Sequence, residues 1–192
     1  MGAFFEVPAA EAQSWQESKP EWMSPPDDVL PVVVGVGRVI ARSERAVVAL
    51  TTLRPYPAGV LLGLAVWVRG DQEDEDWTGM PRGLFPGHKV TEHTLRLGAE
   101  FADGRRASNL IRPQCSDDEA PSDPVLGFHG GVGGAGPHGR VEIELWLWPL
   151  PPPGRLRVVC EWPAYGIAET SVELDAAELV EAAAQARRVW DD

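Results

Sequence analysis

The chain has 192 residues, 44% of them hydrophobic, with 29 carboxylates against 17 basic side chains and a formal net charge of -12. That length supports one main domain with a substantial core, and the apolar content argues against wholesale disorder. The acidic average field disfavours nucleic acid and anionic membranes as partners, and basic residues cluster only as the pairs Arg105-Arg106 and Arg187-Arg188.

Residues 1–28 mix Pro, Ser, Glu and Asp with two isolated tryptophans, Trp15 and Trp22, and hold no period of 2 or 3.6. The composition predicts a flexible N-terminal arm. Two large aromatics in a polar tail also suit a docking arm, with Trp15 and Trp22 as contacts to this protein or a partner. The opening residues lack a basic region and a long apolar run, so a secretory signal is not expected.

From Pro31 the pattern changes to short β-branched runs. "VVVGVGRVI" (32–40), "AVVALTTL" (46–53) and "VLLGLAVWV" (60–68) are separated by ARSER and RPYPAG turns. The stretch Pro55–Val68 is the longest uncharged apolar one, and its prolines and glycines leave it short of the roughly 20 residues a spanning helix needs. Leu95, Leu97, Ala99 and Phe101 alternate with Arg96, Gly98 and Glu100, and Asp103-Gly104 marks a tight turn after them.

"VEIELWLW" (141–148) alternates as cleanly, with Val141, Ile143, Leu145 and Leu147 opposite Glu142, Glu144, Trp146 and Trp148. "PLPPPG" is a rigid turn. "LRVVCEW" (156–162) puts Leu156, Val158, Cys160 and Trp162 on one face, and "AETSVEL" (168–174) is a last strand. Asp175 then opens a capping-box pattern, and Leu179, Ala183, Ala186 and Trp190 recur at helical spacing. The expected fold is mainly β: a single antiparallel β-sandwich, immunoglobulin-like or related, over 29–174, with a C-terminal helix over 175–192 packed on it.

"GGVGGAGPHG" (130–139) contains a G-x-G-x-x-G spacing. A dinucleotide site needs a helix after the glycines, to present its N-terminus to the pyrophosphate, whereas an alternating strand follows here. Kinase and P-loop versions fail as well, since no lysine lies beyond Lys89 and no Gly-Lys-Ser/Thr occurs. The glycines therefore read as a strand connection.

The acidic run Asp71 to Asp76 lacks calcium-loop spacing and reads as a solvated loop. His88, His93, His129, His138 and Cys115 match no zinc pattern. No nucleophile motif is present, and Cys160 alternates with core residues as a small hydrophobe would. No catalytic residue, metal or cofactor is assigned.

Trp146 and Trp148 share a face with two carboxylates. They could form a sugar-stacking platform, or lie covered by the C-terminal helix or the N-terminal arm. The resulting expectation is a non-catalytic interaction or accessory module in the cytoplasm, with another protein as partner. A carbohydrate or small-ligand module using Trp146 and Trp148 is the alternative, and an unrecognised enzyme comes third.

At "FADGRRASN" (101–109) and "LWLWPLPPPGRLRVVCEWPAYGIAET" (145–170) the chain resembles a family of uncharacterised actinobacterial proteins. The resemblance implies a host group. It carries no activity and no site residues.

Overall fold

The computed structural model describes residues 19–69, 81, 89–111, 113, 119–134 and 138–190. Trp15 and the acidic run Asp71 to Asp76 lie outside the described residues. Among the described residues the chain is mainly β, with one short α-helix, and the strands divide among three sheets.

A five-stranded sheet has the order β2 (Val34–Arg42), β3 (Ala46–Pro55), β4 (Val60–Arg69), β8 (His138–Trp148), β7 (Val125–Gly134). A four-stranded sheet runs β10 (Ile167–Asp175), β9 (Arg155–Trp162), β5 (Arg96–Glu100), β6 (Arg106–Ser108). The third is a ribbon of β1 (Val29–Leu30) and β11 (Arg187–Arg188). The paired strands are antiparallel throughout.

The expectation of a single sandwich is corrected on two points. A third sheet joins the two ends of the described chain. The five-stranded sheet also contains a meander of three consecutive strands, β2-β3-β4, which the alternating two-sheet order of an immunoglobulin domain does not contain.

The two larger sheets share one apolar cluster, and its members follow the alternation of the sequence. Val60, Leu62, Leu64, Val66 and Val68 of β4, and Val141, Ile143, Leu145 and Leu147 of β8, enter it from one sheet. Leu97 and Ala99 of β5, and Leu156, Val158, Cys160 and Trp162 of β9, enter it from the other, with Leu95 and Phe101 flanking β5. The edge strands β2 and β10 meet through side chains: Thr170 Oγ1 donates to the Ile40 carbonyl at 2.8 Å and Arg38 Nη1 to the Glu173 carbonyl at 2.7 Å. The Asp103-Gly104 turn is present, with Gly104 at φ 85° and the Phe101 N–H bonded to the Arg105 carbonyl at 2.9 Å.

The helix is shorter than its periodicity predicts. α1 spans Ala176–Ala183, capped by the Asp175 carboxylate accepting from the Ala177 N–H at 2.9 Å. Ala176 and Leu179 belong to the shared core. Beyond Ala183 the chain turns and enters β11, where Val29 pairs with Arg188 and Leu30 with Arg187. The alanines favour a longer helix, but the ladder to β1 and the Arg188–Asp28 ion pair at 2.8 Å compete for these residues. Trp190 accordingly lies 84% exposed instead of on a buried helix face.

The glycines of the glycine-rich segment up to Gly134 lie in an edge strand and not in the expected strand connection. Gly130, Gly131, Gly133 and Gly134 belong to β7, whose register with β8 runs from Val125↔Trp148 to Gly134↔Arg140. Among the described residues no helix is long and apolar enough to cross a membrane.

Candidate functional site

Trp146 stands on the outer face of the five-stranded sheet, where strand alternation puts it beside Glu144 and Trp148. It is only 1% exposed. Its cover is the N-terminal segment: the indole Nε1 donates to the Glu21 carbonyl at 2.8 Å. Tyr56 meets the indole edge-on, with ring centroids 5.6 Å apart. Leu61 completes a second small apolar cluster, against which Val29, Ala58 and Trp148 pack. Trp22 is itself buried, and Trp148 is half-buried.

The segment 19–30, for which the sequence suggests both a flexible and a docking arm, is seated on the domain. Its path joins the aromatic seat to the ribbon, because Val29 both packs on the Trp146 cluster and forms β1.

Charged groups line the same seat. Arg54 of β3 pairs with Glu144 of β8. Burial pushes the Tyr56 hydroxyl above its ordinary pKa against the opposing pull of Arg54, while Glu144 and Asp27 add to the rise. His129 is exposed by surface area yet crowded on one side. Partial desolvation holds its pKa below the usual histidine range, with Lys19 and Arg54 adding to the drop and Glu144 and Asp27 opposing it. The seat therefore gathers Arg54, Glu144 and His129 from three strands and Tyr56 from the turn after β3, facing Asp27 and Lys19 of the covering segment. Chemically it can hold a peptide by an indole N–H donor, two aromatic faces and a guanidinium.

A second surface lies on the ribbon. Leu30 is 63% exposed, Val189 52% and Trp190 84%, and the Val189 N–H bonds to the Asp28 carbonyl at 2.8 Å. Arg187 and Arg188 are exposed between them.

The outer face of the four-stranded sheet is a lattice of ion pairs. Glu100 lies near Arg106, Arg155 and Arg157, while Arg157 also reaches Glu169 and Arg96 bonds Glu161. An open depression of about 430 Å³ beside it is lined by Val90, Gly98, Leu110 and Val159. Among the described residues no three His, Cys, Asp or Glu side chains come together to hold a metal ion.

Cys160 is buried in the core, and desolvation pushes its thiol up to about 12, with Glu161 adding to the rise. In the folded protein the Cys160 thiol is expected to resist thiol reagents at pH 8 and to react on unfolding. The raised value also sets a sign. Above the ordinary thiol value of 9.0 the unfolded thiol ionises while the folded one stays neutral, so this group's contribution is present below that pH and falls as pH rises toward 12. Urea titrations from pH 8 to 11 should show a shallower alkaline loss in Cys160→Ala than in the wild type; equal slopes would refute the assignment.

Sequence reasoning singled out Trp15, Trp22, Trp146 and Trp148; Trp15 lies outside the described residues, Trp146 and Trp148 share the outer face of β8, and Trp22 is buried next to Glu21, whose carbonyl meets Trp146. It gave no role to Tyr56, Arg54 or His129. The one available signal was Arg54-Pro55-Tyr56-Pro57, which reads as a turn and conceals that its side chains build the seat. No family model matches this chain, and no curated protein or solved structure matches it.

Proposed function

We propose that the chain is a non-catalytic module that binds another protein through the outer side of the β1–β11 ribbon. The carrying observation is Trp190, 84% exposed beside Leu30 and Val189. Indoles are enriched where proteins meet, and arginines flanking an apolar centre are the usual company. Covering such an indole removes on the order of 150–200 Å² from water, worth about 4 kcal/mol before the costs of association. The exposed pair Arg187 and Arg188 suits a partner with acidic groups around an apolar pocket. The reading extends to a cytoplasmic setting in an actinobacterial host, with which the free thiol of Cys160 is compatible.

The alternative, a sugar platform on Trp146 and Trp148, would require the segment that contacts Trp146 to leave first. The third reading, an enzyme, has His129 near two carboxylates, but Arg54 already engages Glu144. The exposed ribbon favours protein binding over both.

The test is affinity purification of tagged protein from its host, followed by reconstitution with the purified partner. Trp190→Ala with Leu30→Ser should weaken that binding more than tenfold and leave the melting temperature unchanged, since both side chains face solvent. Undiminished binding by the double variant would refute the ribbon as the contact.

A further inference from the structure

The seat on the five-stranded sheet holds a hydrogen-bond donor that its present occupant does not use. Arg54 bonds Glu144 through Nη2, but its Nε is buried and meets no acceptor among the described residues. Trp22 Nε1, on the covering segment, is in the same condition. Buried polar groups are nearly always paired, so an open donor on the seat and another on the covering segment mark an imperfect fit between the two. The contact that is satisfied is generic: Trp146 donates to the main-chain oxygen of Glu21, an acceptor any peptide offers.

We propose that the seat formed by Tyr56, Trp146 and Arg54 is a peptide-recognition site, filled in cis by Lys19–Leu30 and able to accept in trans an acidic segment with one aromatic anchor. This inference goes beyond the ribbon reading and does not depend on it. The acidic preference follows from Arg54, whose open Nε calls for a carboxylate or carbonyl oxygen. Asp27 of the covering segment already supplies negative charge to this seat, acting on Tyr56 and His129. The aromatic preference follows from Trp22, which is only 8% exposed next to Glu21, the residue whose carbonyl takes the Trp146 indole N–H. The covering segment is tethered to β2 through only Pro31, Val32 and Val33, so its local concentration at the seat is on the order of millimolar. A competitor succeeds by satisfying the open donor, or when the cis anchor is weakened.

The experiment uses the full chain carrying Trp22→Ala and a synthetic peptide of residues 19–30, followed by the indole N–H resonance of Trp146. The peptide should bind the variant at least tenfold more tightly than it binds the wild type, whose seat is occupied, and should shift the Trp146 resonance. A peptide with Trp22→Ala, or with Asp27→Asn, should bind at least fivefold more weakly than the parent peptide. Equal binding to both proteins, no shift at Trp146, or no loss with the altered peptides would overturn the proposal. Should Trp22→Ala fail to fold, Trp22→Leu replaces it; failure of both would make the segment an integral part of the core and overturn the proposal equally.

Discussion

Gly59→Ala is expected to lower stability by about 3 kcal/mol, a large share of the roughly 5–15 kcal/mol that holds a domain together. Gly59 closes the turn between β3 and β4, where the Tyr56 N–H bonds to its carbonyl at 2.7 Å. A Cβ there would sit 2.5 Å from the Leu147 carbonyl oxygen and 2.7 and 2.8 Å from two carbons of the Trp146 ring. The first of these contacts is with backbone, so no rotamer change relieves it. Either β4 must draw away from β8 at the Val60↔Leu147 pair, or the indole must leave its seat. At about 2–4 °C per kcal/mol for a chain of this size, the melting temperature should fall by roughly 6–12 °C. Gly127→Ala is the control, because nothing lies within 4 Å of its added methyl group. If both variants melt with the wild type, the close approach of Gly59 to Trp146 is not what fixes this turn.

The same corner shows how far the sequence could be read. Alternation at Leu95–Phe101, Val141–Leu147 and Leu156–Trp162 identified the core faces, because a strand buried on one side repeats every two residues. β7 escaped that rule, since its glycines present few side chains to alternate, and the three residues of β6 are too short to show a period. The partners of each sheet were not legible, because strand order depends on contacts across connections that carry no periodicity. The largest departures involve the chain ends. Arg188 meets Asp28 across 160 positions and Trp146 meets Glu21 across 125, and no local pattern encodes either. The alanine-rich repeat after Asp175 gave the helix and its cap, while the ladder to β1 decided where it stopped. The alternation put Trp146 on an outer face, and both its cover and its neighbour Tyr56 come from elsewhere in the chain.

Trp146→Ala should be among the costliest single changes, at about 3–5 kcal/mol, because it empties a large aromatic volume that Tyr56, Leu61 and the N-terminal segment close around. It also leaves the Glu21 carbonyl without its donor. Trp146→Phe separates these two effects. It keeps a ring against Tyr56 and loses the N–H, so its cost should be about 1–2 kcal/mol. Its main consequence should be local. Amides of residues 19–30 should exchange about tenfold faster, as one lost hydrogen bond of this kind implies, while amides of β5 and β9 keep their protection. Trp148→Ala, at a half-buried position, should cost about 1 kcal/mol and leave the segment in place. Hydrogen exchange with urea unfolding of the three variants reads all of these together. If Trp146→Ala destabilises the fold while the exchange of residues 19–30 stays at the wild-type rate, the segment is held by other contacts and Trp146 is only a packing residue. If Trp146→Phe alone releases the segment, the indole N–H and the Glu21 carbonyl form the latch between the N-terminal segment and the sheet.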